Sequence, residues 1–245
     1  MSTSRPGGNS TSASVSIDAI STDSGAGTND FITNDQSLTY TGKLPSGFDP
    51  AQHRVLVEVL QNGTLVSSAH KDFATINGNN WSWDNTDATL LAGTYTIRAT
   101  VVGSANETAV ASFGANGQTT QTMTIDTAAP NAGAAPVVEI TTDANNDNKI
   151  DATEGTASTV SVKASWSGTV AEGDQVLISD GTTVKTVVVS ATDVSNKFVT
   201  TTFGKPADGT TLTVTALIKD TAGNSTTTAS DSAYVDATSP TQTLQ

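Results

Sequence analysis

Hydrophobic and polar residues alternate along most of this chain of 245 residues. From Tyr95 to Val101 an apolar side chain stands at every second position, which would place those side chains on one face of an extended strand. The same pattern predicts six strands in the first half: Ala13–Asp18, Ser37–Thr41, Arg54–Leu60, Trp81–Trp83, Thr94–Val102 and Thr119–Ile125. It predicts seven in the second half: Val137–Thr141, Val160–Trp166, Gln175–Ser179, Val184–Val189, Phe198–Phe203, Thr211–Lys219 and Thr227–Val235. Helical periodicity is almost absent, so the chain is predicted to be all-β.

Residue pairs that favour tight turns separate several of these strands. Asn-Gly pairs stand at Asn62-Gly63, Asn77-Gly78 and Asn116-Gly117, and Asp180-Gly181 holds the place of the first of them in the second half. Both residues of such a pair tolerate a positive φ, which tight hairpins require. Short strands with a turn signal between them indicate an immunoglobulin-like β-sandwich.

The two halves of the chain repeat one scheme. The first ends in Ile125-Asp-Thr-Ala-Ala-Pro and the second in Val235-Asp-Ala-Thr-Ser-Pro, with the aspartates about 110 residues apart, the length of one such domain. We therefore predict two tandem immunoglobulin-like sandwiches, at residues 12–127 and 137–238, joined by a Pro/Ala linker at residues 128–136. Residues 1–11 lack an apolar signal core and are expected to be a disordered tail at an excerpt boundary, and residues 239–245 to begin a further linker.

The charge of the chain limits its partners. Acidic residues outnumber basic ones by 24 to 11, which gives a net charge of −13. This charge repels nucleic-acid phosphates and anionic membranes, so we predict a monomer that neither binds nucleic acid nor inserts into a membrane. The chain has no cysteine, which excludes disulfides and thiolate zinc sites. Clustered carboxylates attract hard divalent cations, so Ca²⁺ is the predicted cofactor and a source of stability.

The most specific motif runs from Asp143 to Glu154. In the twelve-residue calcium loop, oxygen-bearing side chains stand at positions 1, 3, 5, 9 and 12 and a backbone carbonyl at position 7. At those positions this segment offers Asp143, Asn145, Asp147, the carbonyl of Lys149, Asp151 and Glu154. Asn148 stands where glycine is usual, and asparagine also tolerates the left-handed conformation needed there. Strands are predicted on both sides, so we expect a calcium loop between strands; the alternative is a merely polar turn.

The comparable segment of the first half runs from Asp18 to Asp35 and lacks this spacing. From the residues alone it is an acidic, glycine-rich connection. Asp23 and Asp30 would converge with Asp126 if the chain enters and leaves the domain close together. A metal site and a plain connection both remain open here.

Several motifs of the chain occur together in one known family. They are Ile20-Ser-Thr-Asp-Ser-Gly, Asp30-Phe-Ile-Thr-Asn-Asp, Asp220-Thr-Ala-Gly-Asn and the two closing Asp-Thr-Ala-Ala-Pro and Asp-Ala-Thr-Ser-Pro segments. With them the chain resembles the bacterial Ig-like extender repeats of giant repeats-in-toxin (RTX) adhesins. The second half lacks the Asp-Phe-Ile-Thr-Asn-Asp string, so the metal sites of the two halves need not correspond.

The resemblance implies a function and further ligands. It implies calcium ions at domain junctions, contact with neighbouring repeats, and type I secretion to an outer-membrane-anchored adhesin at the cell surface. The chain would be a spacer that projects a distal ligand-binding region for cell adhesion or biofilm formation. It also implies Asp220 and Asp236 as candidate ligands beside Asp23, Asp30 and Asp126.

Two other functions are weighed against a spacer. For an enzyme, His53 and His70 are the only histidines, both are expected to be solvated, and no nucleophile motif accompanies them, so catalysis is not predicted. A carbohydrate-binding or surface-binding module would need an exposed aromatic face, for which Trp81 and Trp83 are the candidates. The favoured alternative is that these tryptophans fill the first core, as Trp166 is expected to do in the second.

Overall fold

The computed structural model describes residues 14–236. The predicted tail at residues 1–11 and the predicted linker start at residues 239–245 lie outside this range, as does Ala13, the first residue of the first predicted strand. The described chain is all-β, as predicted, and it divides after Thr127 into two compact units. We term residues 14–127 unit 1 and residues 128–236 unit 2. Each has two β-sheets and its own hydrophobic core.

Unit 1 has ten strands within residues 14–127. They are β1 (Ala19–Ile20), β2 (Ile32–Thr33), β3 (Thr39–Lys43), β4 (His53–Gln61), β5 (Thr64–Leu65), β6 (Lys71–Phe73), β7 (Thr75–Asn77), β8 (Asn80–Asp84), β9 (Gly93–Gly103) and β10 (Gln118–Ile125). One sheet has the order β1-β3-β8-β7 and the other β2-β10-β9-β4-β5, with β6 also paired to β4. Single 3-10 turns lie at Ser68–His70, Ala111–Phe113 and Ala115–Gly117.

Unit 2 has eight strands within residues 128–236. They are β11 (Val137–Ile140), β12 (Lys149–Asp151), β13 (Thr159–Ser165), β14 (Gln175–Ser179), β15 (Val184–Val188), β16 (Phe198–Gly204), β17 (Thr211–Lys219) and β18 (Ala229–Asp236). One sheet has the order β11-β13-β16 and the other β12-β18-β17-β14-β15. A 3-10 turn lies at Pro130–Gly133 and one short helix, α1, at Ala191–Asn196. No helix among the described residues is long and apolar enough to cross a membrane.

The two units share one strand order, which is that of an immunoglobulin-like sandwich. In both, the first strand is split between the sheets. Its first part, β1 or β11, pairs in one sheet, and its second part, β2 or β12, runs parallel to the last strand of the unit in the other sheet. We call the connections between the two parts the strand switches: residues 21–31 in unit 1 and residues 141–148 in unit 2.

Alternation of apolar and polar residues locates most of the strands correctly. Twelve of the thirteen predicted strands overlap observed ones. The exception is Ala13–Asp18, whose described residues hydrogen-bond along β3 while the regular strand begins only at Ala19. The Asn62-Gly63 turn joins β4 to β5 with φ of 52° and 78°, the left-handed values that such a hairpin requires.

Aromatic residues fill the core of unit 1. Tyr40 stacks on Trp83 with ring centroids 5.4 Å apart, and the Trp81 indole nitrogen donates to the Ser16 carbonyl at 2.9 Å. The Tyr95 hydroxyl donates to the Leu91 carbonyl at 2.8 Å, a tie across the corner before β9 that occurs in many sandwiches of this class. In unit 2 the core is mostly aliphatic, with Trp166 as its buried tryptophan.

The segment predicted as a linker, residues 128–136, is partly built into unit 2. Asn131 is buried, its backbone N–H donates to the Thr169 carbonyl at 2.7 Å, and its side-chain oxygen accepts the Gly168 N–H at 2.7 Å. A Cβ on Gly168 would lie 2.7 Å from the same oxygen, so the contact depends on glycine. The predicted linker is therefore not a free connection in its central part, because the buried Asn131 amide with satisfied hydrogen bonds fixes it to unit 2.

Candidate metal sites in the strand switches

The twelve-residue loop, residues 143–154, includes most of the strand switch of unit 2 and all of β12. Asp143 is buried at its start. Its Oδ1 accepts the Asp147 N–H at 3.1 Å and its Oδ2 accepts the Asn148 N–H at 2.8 Å. The Asp147 Oδ1 in turn accepts the Lys149 N–H at 3.0 Å. The side chains of Asp143 and Asp147 thus accept hydrogen bonds from the backbone of the loop, as Asp and Asn side chains do where regular secondary structure is absent.

Glu154 closes the loop from its far end. Its Oε1 accepts the Ala144 N–H at 2.9 Å and its Oε2 accepts the Asp151 N–H at 3.3 Å, so one carboxylate joins the two ends of the segment. Asp151 caps the turn that brings Glu154 back, because its Oδ1 accepts the Thr153 N–H and hydroxyl, each at 2.7 Å. These Thr153 hydrogen bonds lower the pKa of Asp151.

At Asn148 the backbone has the conformation that a twelve-residue calcium loop requires at its sixth position. Asn148 adopts φ of 65°, the left-handed conformation expected at that position. The chain then enters β12, where Ile150 is fully buried opposite Val235 and Asp151 lies opposite Asp236. The loop therefore meets the closing aspartate of the unit at the end of the sandwich where the chain leaves it.

The predicted ligand set has four carboxylates, those of Asp143, Asp147, Asp151 and Glu154, and the structure does not gather them around one point. Among residues 14–236, no three or more His, Cys, Asp or Glu side chains gather closely enough to hold a metal ion. The set of two amide or carbonyl donors, Asn145 and Lys149, with four carboxylates has the composition that Ca²⁺ accepts. The donor chemistry fits the ion, and calcium binding stays a prediction.

The strand switch of unit 1 repeats this arrangement, although its sequence does not show it. Phe31 precedes β2 with φ of 61°, as Asn148 precedes β12. The Phe31 N–H donates to Asp23 Oδ2 at 3.1 Å, as Asn148 donates to Asp143. The Ile32 N–H donates to Asp30 Oδ1 at 3.0 Å, as Lys149 donates to Asp147.

The two switches therefore correspond residue by residue. Asp23 takes the place of Asp143 and Asp30 that of Asp147. Asp126 directly follows β10, and Asp236 is the last residue of β18. Sequence reasoning missed this match because the spacing differs: Asp30 lies seven positions after Asp23, and Asp147 lies four positions after Asp143. The two segments share only an aspartate shortly before an isoleucine of the parallel strand, in Asp30-Phe-Ile and Asp147-Asn-Lys-Ile, and this signal is too short to use alone.

The Asp23 carboxyl of the first switch has a perturbed pKa. Burial raises the pKa of Asp23, and the neighbouring Asp30 carboxyl raises it further. Asp23 Oδ1 is buried and has no hydrogen-bond partner among the described residues. Asp126 belongs to the same end of the unit, since its N–H donates to the Thr33 carbonyl at 2.9 Å.

Asp220 and Asp236, the candidates that came from the resemblance, do not lie together. Asp220 follows β17 and Asp236 ends β18, and these strands are antiparallel, so the two aspartates stand at opposite ends of the sheet. Both Asp220 carboxylate oxygens accept hydrogen bonds from Asn224, at 2.8 Å from its N–H and 2.9 Å from its side chain. Asp220 thus closes its own tight turn.

The carbohydrate-binding alternative requires that Trp81 and Trp83 form an exposed aromatic face, and this expectation is wrong. Trp81 is 1% exposed and Trp83 5% exposed, and both pack in the core of unit 1. Neither indole face is open to a sugar ring.

The histidines also differ from expectation. His70 is buried, with its Nδ1 2.8 Å from the Ser67 hydroxyl, and burial lowers its pKa. His53 lies between the rings of Phe48 and Phe113, with centroids 5.7 and 5.0 Å away. The prediction that both are solvated is therefore wrong for His70, and each has a packing role.

Comparison with known proteins finds similarity to solved structures only. No protein-family model and no curated protein matches the chain. Among solved structures, it is 14% identical to the fibronectin(III)-like modules of Clostridium thermocellum CbhA, with a TM-score of 0.48 over 94% of this chain and 99% of that one. It is 23% identical to part of a 1.5-MDa bacterial ice-binding adhesin studied for host cell surface retention, with a TM-score of 0.39, and covers 64% of that chain.

A third structure is a tetra-tandem repeat from the extending region of a large adhesion protein. Identity is 20% and the TM-score 0.29, and this chain spans half of that one. With all three TM-scores below 0.5, the assignment as immunoglobulin-like rests on the strand order described above.

Proposed function

We propose that this chain is a spacer segment of a bacterial cell-surface adhesin. The observation that supports it most is the direction of the end strands. In each unit the second part of the first strand runs parallel to the last strand, so the chain enters at one end of the sandwich and leaves at the other. A unit of this kind adds its full length to a stalk. The motifs shared with adhesin extender repeats, and the adhesin segments among the structural matches, agree with this role.

We further propose that Ca²⁺ stabilises the exit end of each unit. In unit 2 the ion would be held by Asp143, Asn145, Asp147, the Lys149 carbonyl, Asp151 and Glu154. In unit 1 the corresponding Asp23 and Asp30 would serve, with Asp126 beside them. A bound cation would offset the repulsion among these carboxylates in a chain of net charge −13 and would hold the strand switch in place.

The location follows from the same proposal. An extender of this kind would be secreted through a type I system. It would stand at the cell surface between an outer-membrane anchor and a distal region that binds the target in adhesion or biofilm formation. Extracellular calcium modules bind with dissociation constants of about 10⁻⁴ to 10⁻³ M, so such a site would fill outside the cell and stay empty in a calcium-poor cytoplasm.

The calcium proposal is tested by thermal unfolding in EDTA and in millimolar Ca²⁺, with titration calorimetry for the number of ions. We compare the wild type with Asp147→Ala, which removes a predicted ligand, and with Glu172→Ala, which removes the same charge from an exposed position of unit 2 away from the loop. Calcium is expected to raise the midpoint temperature of unfolding in the wild type and in Glu172→Ala. In Asp147→Ala, calcium should raise the midpoint of unit 2 much less. If calcium leaves the wild-type midpoint unchanged and no binding heat appears, the calcium proposal is refuted.

A further inference from the structure

A spacer in a stalk carries tension. In each unit, one pair of strands bears that load. Force enters at the first strand and leaves at the last, and β2–β10 and β12–β18 join these two strands directly. The paired strands are parallel, and they are pulled at opposite ends. The load therefore acts along the strands and strains all their cross-strand hydrogen bonds at once, whereas a pair pulled from the same end opens one bond at a time.

In unit 2 this pair is reinforced on both sides. Its register joins Lys149, Ile150 and Asp151 to the last strand, and the Tyr234 N–H adds a hydrogen bond of 2.9 Å to the Asn148 carbonyl. Ile150 is fully buried, so β12 cannot slide without moving that side chain through the core. The Glu154 carboxylate ties β12 back to the start of the loop at Ala144.

In unit 1 the corresponding pair is shorter. Only Ile32 and Thr33 are in register with β10, with flanking hydrogen bonds of 2.9 Å to the Phe31 and Thr33 carbonyls. The buried side chain in the place of Ile150 is Thr33, which is smaller and donates to the Thr22 carbonyl at 2.6 Å. Its strand switch also contains the Asp23 carboxylate with a buried oxygen that lacks a partner.

We propose that the parallel pairs β2–β10 and β12–β18 are mechanical clamps, and that they are graded: under tension unit 1 opens before unit 2. This rests on the proposed spacer function for its setting and not on calcium, since the clamp is made of strand pairing and core packing. The graded clamps would let a stalk lengthen at moderate load through one unit while the other still holds.

The proposal is tested by pulling single molecules of the full chain from its two ends at constant force, in EDTA and in Ca²⁺. A twenty-residue Gly/Ser insertion at the exposed Asp180-Gly181 turn lengthens the released chain of unit 2 by about 70 Å and so identifies which unit opens. We expect the shorter step first. The order in EDTA decides the grading, because the clamps do not depend on calcium. If the longer step comes first in EDTA, the grading is wrong.

A matched pair of variants tests whether β12–β18 is the clamp. Ile150→Val and Ile178→Val each remove one methylene from a fully buried isoleucine of the same core, but Ile178 lies in β14, outside the clamp. Both changes are mild, and denaturant unfolding checks that both variants fold with similar loss of stability. Under force, Ile150→Val is expected to raise the unfolding rate of unit 2 severalfold over Ile178→Val. Equal rates for the two variants would overturn the clamp, whatever calcium does.

Discussion

Gly42 is the residue at which a single methyl group should do most damage in unit 1. It lies in β3 opposite Trp81 of β8. A Cβ at this position would come within 1.9 Å of the Ser16 carbonyl oxygen and 2.6 Å of the Trp81 indole. The same carbonyl accepts the indole N–H at 2.9 Å. Alanine would therefore push the segment around Ser16 away from β3 and break the hydrogen bond that orients Trp81.

The size of the effect follows from three contributions. Overpacking in a core costs about 1–3 kcal/mol, and the lost hydrogen bond costs about 1 kcal/mol. Replacing glycine in a strand returns about 0.5–1 kcal/mol. We expect Gly42→Ala to lower the free energy of unfolding of unit 1 by about 2 kcal/mol. Gly204→Ala, at the end of β16, has no atom within 4 Å of the new Cβ and is expected to be neutral or slightly stabilising.

The assay is urea unfolding followed by tryptophan fluorescence. Trp81 and Trp83 report on unit 1 and Trp166 on unit 2, so a Trp166→Phe background isolates the signal of unit 1 for Gly42→Ala. Gly204→Ala is followed through Trp166. If Gly42→Ala unfolds at the wild-type urea concentration with an unchanged slope, the inferred close approach of the Ser16 carbonyl to Gly42 is wrong.

Three further changes test other contacts. Tyr95→Phe removes the hydroxyl bonded to the Leu91 carbonyl and should cost unit 1 about 1 kcal/mol in urea unfolding; a loss below about 0.3 kcal/mol would count against this tie. Glu58→Gln leaves Arg98, which contacts the buried Glu58 carboxylate at 2.7 Å, without its counter-charge and should cost about 2–3 kcal/mol, with Glu107→Gln as an exposed control. The raised pKa of Asp23 means that the folded state holds its proton more tightly than the unfolded state, so calcium-free stability should fall as pH rises above about 4; Asp23→Asn should flatten this part of the pH profile, and an unaltered profile would contradict the assignment.

The strands that the sequence predicts well are those whose own residues carry the signal. In β9, Tyr95, Ile97, Ala99 and Val101 alternate in sequence and are all buried. β2 and β12 have two and three residues and pair with strands far along the chain, so no local pattern can reveal them. Helix α1 was missed for a similar reason, although Ser190 and Asp193 form a capping box at its start.

The candidate site was predictable in unit 2 and not in unit 1. The ligand spacing from Asp143 to Glu154 is readable because the loop is continuous and compact. In unit 1 the same hydrogen bonds arise from Asp23 and Asp30 across a longer, glycine-containing segment, and only the backbone fold aligns them. The Pro/Ala-rich composition around Asn131 predicts a linker. The burial of Asn131 depends on contacts with Gly168 and Thr169, more than thirty residues away in the sequence, which no local pattern reveals.

The split first strand also sets the order in which a unit is completed. β2 and its partner β10 are roughly 90 residues apart in the sequence, and β12 and β18 are separated by a similar distance. These contacts are therefore expected to form after the local hairpins. β10 lies between β2 and β9 and pairs with both of them. Loss of the eight residues of β10 would therefore leave β2 without a sheet and expose the edge of β9. Truncation from the end of a unit should abolish its folding abruptly, not gradually.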